Sequence, residues 1–427
     1  MSAGGILRDA AFRRLWAGMA VSKLGTSVAS IATPLIAVQV LDASALTVSL
    51  LTAAAWLPWL LIGLPAGAWI DRMAKRPVML VCDGLSALLI ASVPLAAWLY
   101  HLTVGHLLIV AMLVGAASVF FQVAWTAYLP AMFAKDDLVG ANSVLHGSES
   151  AVQIAGPALG GALVAAVTAV AGLILDALTF LVSAVSLLLI RRPERRPAPE
   201  PRRSIGREIA EGVRWLAREP LLRSLTLHGA AGNVALTGYG AIIVVFLVRD
   251  IGVSTATVGL LLATSGVGGV AAATATSALV RRFGSARTMV WCKVGAGVAS
   301  LLIPLGRPGW GLLTFALGYG LVAAGVVVGN VLGSSFRQSY VPAALLGRVV
   351  TSMQFVNLGA IPLGAVLGGL AATAAGTRGA IWIMTAGYSL AGLILLLGPW
   401  RGRRELPIPA PADPVTDRPD LPSSARA

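Results

Sequence analysis

Charge is what this sequence has least of. Only 12% of its 427 residues are Asp, Glu, Lys or Arg, and lysine occurs at just four positions, 23, 75, 135 and 293. With 57% hydrophobic residues and a mean hydropathy of +0.83, the chain has too little polar surface to cover a water-soluble core, which excludes a soluble globular protein. Cysteine is as scarce. Cys82 and Cys292 both fall inside apolar runs, which excludes a disulfide framework and reads as two free thiols. Four histidines without metal-ligand spacing exclude a zinc site. The sequence contains no P-loop, no G-x-S-x-G and no H-E-x-x-H. An enzyme and an ATP-driven motor are therefore excluded, no cofactor is expected, and any transport is expected to draw on the proton gradient.

What the sequence does have is apolar runs long enough to cross a hydrocarbon layer of about 30 Å at about 1.5 Å per residue. Twelve are counted, at about 15–41, 47–70, 78–98, 107–127, 141–167 and 171–190, then 225–248, 258–280, 288–305, 312–336, 348–374 and 380–399. Arg8, Arg13 and Arg14 precede the first run and no small-residue cleavage site follows it, so it reads as a helix and not as a removable signal. A Pro/Arg-rich stretch at 191–203 divides the runs into two sets of six and reads as a linker. The expectation is an all-α polytopic membrane protein with twelve transmembrane helices in two six-helix bundles. The N-terminal bundle takes 1–190, a cytoplasmic linker 191–223 and the C-terminal bundle 224–400. The proline-rich segment 401–427 lacks apolar periodicity and is expected to be a disordered cytoplasmic tail. Within the linker, Ile205, Ile209, Val213 and Leu216 recur at helical spacing between charged residues, as in an amphipathic helix lying on the inner leaflet.

The formal charge of +14 is a topology signal. On this layout 27 of the 32 Lys and Arg residues lie in the N-terminus, the even-numbered loops and the tail, against Arg249, Arg307 and Arg378 on the other side. The asymmetry puts both termini in the cytoplasm, with the chain as a multi-pass protein of the cytoplasmic (inner) membrane. Nucleic acid is not expected as a partner; the lipid bilayer and a small-molecule substrate are, with the chain acting as a monomer.

The halves repeat. Offset by 210 positions, Phe12-Arg13-Arg14-Leu15 meets Leu222-Arg223-Ser224-Leu225 and Cys82-Asp83 meets Cys292-Lys293; Tyr128-Leu-Pro130-Ala131 parallels Tyr340-Val-Pro342-Ala343. Between runs two and three lies a basic turn, Gly67-Ala-Trp-Ile-Asp71-Arg72-Met-Ala-Lys75-Arg76-Pro77. Its pattern resembles the loop between spans 2 and 3 of the major facilitator superfamily of secondary transporters. Run five carries Gly147 and Ala155-Gly156-Pro157-Ala158-Leu159-Gly160-Gly161, which resembles the antiporter motif of the drug-efflux branch. The segments around Tyr128-Leu-Pro130, Ala141-Asn142-Ser143 and Phe336-Arg337-Gln338 are similar to the subgroup containing macrolide and enterobactin exporters. The resemblance spans 12–399 and implies two bundles rocking about a central site. It also implies a gate built from Gly67, Asp71, Arg72, Arg76, Gly156, Pro157, Gly160, Gly161 and Arg348. Asp71 is expected to latch the outward-open state by accepting from the start of span 11 near Gly347 and Arg348.

The sequence also departs from that pattern. Ala74 stands where the superfamily usually has glycine, Arg281 replaces the acid in the second copy of the turn, 113–121 lacks an arginine, and Thr26 stands where the subgroup often has an acid. Proton coupling therefore has to be sought among the intramembrane ionisable residues, whose burial costs roughly 2.5 to 3.5 kcal/mol each at a helix centre. Lys23 and Glu149 lie at equal depth, about 13 Å in at helical rise, on neighbouring spans, and are expected to pair. Either a static packing pair or a proton-coupled switch fits that position. Asp176, near the outer end of span 6, is expected to reach water and is the third coupling candidate. Asp83 and Lys293 are read as packing or snorkelling residues on peripheral spans. Candidate cavity residues are Thr26, Ser30, Gln122, Trp125, Gln153, Asn233, Asn330, Gln354 and Asn357, a mixture of amides and an aromatic that suits an amphipathic organic molecule. The expected function is export of a small amphipathic or hydrophobic compound, drug-, macrolide- or siderophore-like, by proton antiport. A lipid or lysolipid flippase and a non-transporting scaffold or sensor stay open as alternatives.

Overall fold

A computed structural model describes residues 6–70, 72–133, 135–190 and 205–407, and every regular element among them is helical. Asp9 opens α1 (Ala10–Gln39): its carboxylate accepts from the backbone N–H groups of Ala11 and Phe12 at 2.8 and 3.1 Å. Such a cap satisfies donors that the start of a helix leaves without partners. Then come α2 (Ala45–Ile70), α3 (Lys75–Trp98), α4 (Val104–Met132), α5 (Lys135–Val167) and α6 (Ala169–Leu188). The short α7 (Ile205–Arg218) leads into α8 (Pro220–Val245), which one π-helical turn, Phe246–Asp250, extends. The second bundle continues with α9 (Thr255–Phe283), α10 (Ser285–Ser300), α11 (Gly311–Tyr340), α12 (Ala343–Ala391) and the single turn α13 (Leu393–Leu396).

At 49 residues, α12 would be about 70 Å long if straight. Gly376, with φ 73° and ψ 166°, breaks it into two arms, so that the described chain has twelve membrane-length segments. The α5–α6 join is as abrupt: Thr168 alone separates the helices, with φ 122°, and caps α6 through its hydroxyl. Span 11 starts earlier than its hydropathy implies. Pro342 occupies the N-cap, so Gly347 and Arg348 lie in the second turn, not at the open N–H groups of the helix start.

The core shows how the bundles meet. On the face away from the described chain ends, here the far face, one continuous apolar cluster takes residues from both bundles, among them Leu35, Ile36, Val48, Ile242, Phe246 and Val258. On the terminal face the core splits in two. One part, around Phe12, Met79 and Tyr128, belongs to the N-terminal bundle; the other, around Leu222, Phe336 and Trp400, belongs to the C-terminal bundle. Outward-facing side chains such as Leu88, Leu260 and Val267 are about 70% exposed, the surface a bilayer covers. Trp98, Tyr100 and Trp310, exposed near the far face, stand where interfacial aromatics are enriched.

Two contacts add to the expected layout. The amphipathic helix α7 packs on α12. A Cβ at Gly212 would stand 2.4 Å from Ser352 Oγ and 2.6 Å from the Arg348 carbonyl oxygen, and Leu216 is buried. Glycine at 212 permits the approach. Residues 401–407 lie against the start of α10, whose N-cap residue Gly284 offers no side-chain cap, and the tail supplies one. The Arg404 carbonyl accepts from the N–H groups of Ala286 and Arg287 at 3.1 and 3.3 Å. The Glu405 carboxylate accepts from the Ser285 N–H and hydroxyl at 3.1 and 2.6 Å. The linker at 191–204 and the tail from 408 lie outside the described residues.

Candidate functional site

Each bundle holds a cavity. In the N-terminal bundle α1, α3, α4, α5 and α6 enclose about 300 Å³ lined by Met19, Lys23, Thr26, Asp83, Gln122, Glu149 and Phe180, among others. In the C-terminal bundle α8, α10, α11 and α12 enclose about 280 Å³ lined by Asn233, Lys293, Asn330, Arg337, Gln354 and Asn357, among others. The polar residues expected to form one cavity thus line two. Thr26 and Gln122 belong to the first; Asn233, Asn330, Gln354 and Asn357 belong to the second.

Small residues set α5 against α1. A Cβ at Gly156 would stand 2.5 Å from Ser27 Oγ, and one at Gly160 would stand 2.9 Å from the Ser27 carbonyl oxygen. With the helices this close, Trp16 Nε1 donates to Ser148 Oγ at 2.6 Å, and the Lys23 ammonium pairs with the Glu149 carboxylate. About a third of each charged side chain remains exposed to the cavity. The pairing expected from equal depth is therefore present, at the wall of the cavity.

Asp176 behaves otherwise than expected. Instead of reaching water it is 1% exposed, because Gly25 on α1 leaves a recess that Asp176 and Thr179 fill. A Cβ at Gly25 would lie 2.0 Å from Thr179 Oγ1 and 2.7 Å from Asp176 Oδ1, and that Oδ1 has no hydrogen-bond partner among the described residues. Trp125 is also displaced from the cavity. It is buried in the N-terminal core near Tyr128 and Leu129, since the α4 face that carries Gln122 into the cavity turns Trp125 away from it. Ser30 is exposed on α1 with its hydroxyl donating to the Ser27 carbonyl, outside the lining of both cavities.

Asp83 and Lys293, taken from sequence as packing residues on peripheral spans, line the two cavities at repeat-equivalent positions. The offset of 210 was the signal that links them. Arg337, counted from sequence among the loop cations, lies inside the second cavity. His228, also in the lining of the second cavity, is buried with Nδ1 3.1 Å from the Ala391 carbonyl oxygen.

Of the gate residues, Gly161 brings the backbones of the two bundles together: a Cβ there would stand 2.1 Å from the Gly259 Cα of α9. Gly67 has open space where a Cβ would be, and Arg72 is exposed. Arg76 points into its own bundle, donating to the carbonyl oxygens of Leu187 at 3.0 Å and Leu188 at 2.9 Å, which complements the C-terminus of α6. Arg348 is half-buried beside α7. Asp71, and the side chains of Gln153 and Pro157, lie outside the described residues. On the far face, the Arg249 guanidinium meets Asp42 at 2.5 Å, Gln39 Nε2 donates to Thr255 at 3.2 Å, and Gly369 receives Ser49, whose Oγ would stand 1.9 Å from a Cβ at that glycine. All three contacts join one bundle to the other.

The family model described as transmembrane secretion effector matches residues 1–406. The chain is 27% identical over 385 residues to the multidrug efflux pump Tap of Mycolicibacterium fortuitum, covering 88% of this chain and 92% of that one. It is 25% identical over 393 residues to the enterobactin exporter EntS of Escherichia coli O1:K1 / APEC, covering 91% and 89%. Among solved structures, a bacterial homologue of the iron transporter ferroportin in its inward-facing state superposes with a TM-score of 0.72 at 18% identity, covering 92% of this chain and 99% of that one, which shows a shared fold. The chain belongs to the transmembrane secretion effectors of the major facilitator superfamily, multi-pass membrane transporters that are not enzymes.

Proposed function

We propose that the chain exports small amphipathic organic compounds, of the drug or siderophore type its relatives' names carry, from the cytoplasm by alternating access coupled to proton antiport. The observation that carries the reading is the divided core: bundles fused on the far face and separate on the terminal face, with a polar-lined cavity in each. With the terminal face in the cytoplasm, as the distribution of Lys and Arg supports, this is an inward-open state ready to load. Closing the terminal side and parting the far contacts would complete the cycle.

Glu149 is the residue assigned to coupling. Its carboxylate is bound by Lys23 in the present state, and a cargo or a conformational change that draws Lys23 away breaks that pair and so links Glu149 to the transport cycle. The test is proteoliposome transport with a pH-sensitive dye inside. Addition of a transported drug should drive proton movement in the wild type, and Glu149→Gln should abolish drug-driven proton flux while leaving drug binding within about threefold. Undiminished proton flux in Glu149→Gln removes that residue from the coupling.

A further inference from the structure

The two cavities carry opposite charge. The N-terminal one presents Asp83 and Glu149 with Lys23; the C-terminal one presents Lys293 and Arg337 and no carboxylate. Both cations rest on a glycine platform of α11. A Cβ at Gly329 would stand 2.8 Å from Lys293 Cε and 3.0 Å from its Nζ, and a Cβ at Gly333, one turn on, would stand 3.7 Å from Arg337 Nη1. A side chain at Gly329 would take the space Lys293 occupies, whereas one at Gly333 would only touch the Arg337 guanidinium. Among the described residues neither cation has an ion-pair or hydrogen-bond partner, and Glu219, on the same side of the bundle, is engaged by the Tyr340 hydroxyl at 2.9 Å.

Two like charges inside an apolar bundle, without a counter-charge, cost several kcal/mol in a closed low-dielectric site. A permanent packing role would be served better by the neutral residues found at most other positions of these helices. The arrangement is favourable when an anion enters. A guanidinium offers a planar fork and an ammonium a point charge, the pair of donors that binds a carboxylate or phosphate well.

We propose that the C-terminal cavity is an anion-recognition site, in which Lys293 and Arg337 together hold the carboxylate or phosphate group of an anionic amphiphile. The proposal rests on the exporter reading and names its substrate class. The carboxylates of the N-terminal cavity repel the same group, so the cargo's charged end is directed to the C-terminal bundle. Asn330 and Gln354, exposed in the same lining, supply amides for neutral polar atoms beside it.

The probe is 11-(dansylamino)undecanoic acid, with its methyl ester as the neutral twin, titrated by dansyl fluorescence into the full-length protein in phosphatidylcholine nanodiscs. The acid should bind at least tenfold more tightly than the ester. Lys293→Met with Arg337→Gln should erase the preference for acid over ester without lowering the melting temperature, since it removes two like charges that have no counter-charge, and Arg337→Lys should retain most of it. Equal binding of acid and ester to the wild type, no binding of either, or a preference that survives the double variant overturns the site. The comparison of acid with ester in the wild type decides the matter even where the double variant fails to fold. In phosphatidylglycerol nanodiscs, weakened acid binding with unchanged ester binding identifies a lipid headgroup as an occupant of the same site; unchanged acid binding identifies a soluble anion. Proteoliposome uptake separates this proposal from the exporter reading. Transport of the ester with no preference for the acid overturns the anion site alone, whereas an intact binding preference without transport of any probe overturns the exporter reading alone.

Discussion

Lys23 and Glu149 illustrate what a single pair does in this protein. Removing one partner leaves the other as an uncompensated charge, and the cost exceeds the net worth of the pair. Since about a third of each side chain is exposed, the full buried-pair penalty is discounted by solvent. Lys23→Met should therefore destabilise by about 1 to 3 kcal/mol, and the double variant Lys23→Met, Glu149→Gln should recover most of that loss in thermal unfolding. If the double variant unfolds at or below the temperature of the single one, the pair is not the source of the effect. This pair was legible in the sequence, because two charges at equal depth on spans the fold makes neighbours have few other partners. Arg337 was not. Near a span end, a cation that enters a cavity and one that faces water share one local sequence, and on its own helix only Gly333, one turn before it, lies against Arg337. Trp125 was misread for the converse reason: an aromatic one turn from a cavity-lining residue is close to it in sequence register, but a helix face is narrower than that, and the core claimed it. Asp176 depends on a recess opened by Gly25 on another helix, which no local pattern records.

Helix ends carry the next level of the argument. The first copy of the basic turn is tied down by Arg76 on the carbonyl end of α6; the second has Arg281 where the first has Asp71, and its α10 start is capped from the tail by Glu405. The hydrogen bonds from the Ser285 hydroxyl and backbone, with Arg404 beside it, hold the Glu405 carboxyl below the ordinary carboxylate range. A carboxyl whose value is depressed on docking contributes above its undocked value, near 4.3, and its contribution fades as pH falls through the docked one. Docking of the tail should thus be intact at pH 7 and be lost below about pH 4. Glu405→Gln should raise protease cleavage near 401–407 at pH 7 to the level the wild type shows at low pH; unchanged protection in that variant would mean that the Arg404 carbonyl and the Leu406 N–H on Ser285 Oγ hold the tail without Glu405. Gly376 is the other element-level constraint. A Cβ has open space there, so sterics with neighbours are not the issue; the backbone at φ 73° and ψ 166° is a region nearly confined to glycine. Gly376→Val should cost about 1 to 3 kcal/mol in thermal unfolding, whereas Gly67→Ala, helical and unobstructed, should be neutral or slightly stabilising. A neutral Gly376→Val would mean that the break is set by packing of the arms and not by the residue. Hydropathy gave the twelve segments to within several residues, but their exact ends were decided by caps such as Asp9, Pro342 and Thr168, which act through single hydrogen bonds or one fixed dihedral.

For the whole molecule the question is whether the far face opens. Its bundle contacts are of two kinds. The Asp42–Arg249 pair is largely in solvent, with Asp42 96% exposed, and exposed pairs are worth about 0 to 1 kcal/mol, little resistance to a rocking motion. The glycine contacts are instead close approaches that hold only while the bundles are seated together: Gly161 meets the Gly259 backbone and Gly369 meets the Ser49 side chain, and neither leaves room for a methyl group as the neighbours stand. An alternating-access cycle has to part them. Joining them covalently therefore tests the cycle with little disturbance to the present state. With Cys82 and Cys292 replaced by serine, Ser49→Cys and Gly369→Cys place two thiols near disulfide range after a shift of under about 1 Å. Oxidation should then lower proteoliposome transport at least tenfold, and a reductant should restore it, while drug binding to the terminal-face cavities stays within about twofold because the loading state is the one being locked. Two controls give the result its meaning. The single cysteine variants should be insensitive to oxidant, and Gly161→Val, which wedges the other glycine contact open, should lower drug affinity by shifting the population away from the loading state. Full transport with the disulfide in place would show that the far face stays shut at Ser49 and Gly369 throughout, and cargo would then have to leave by a lateral path between helices rather than through the seam between bundles.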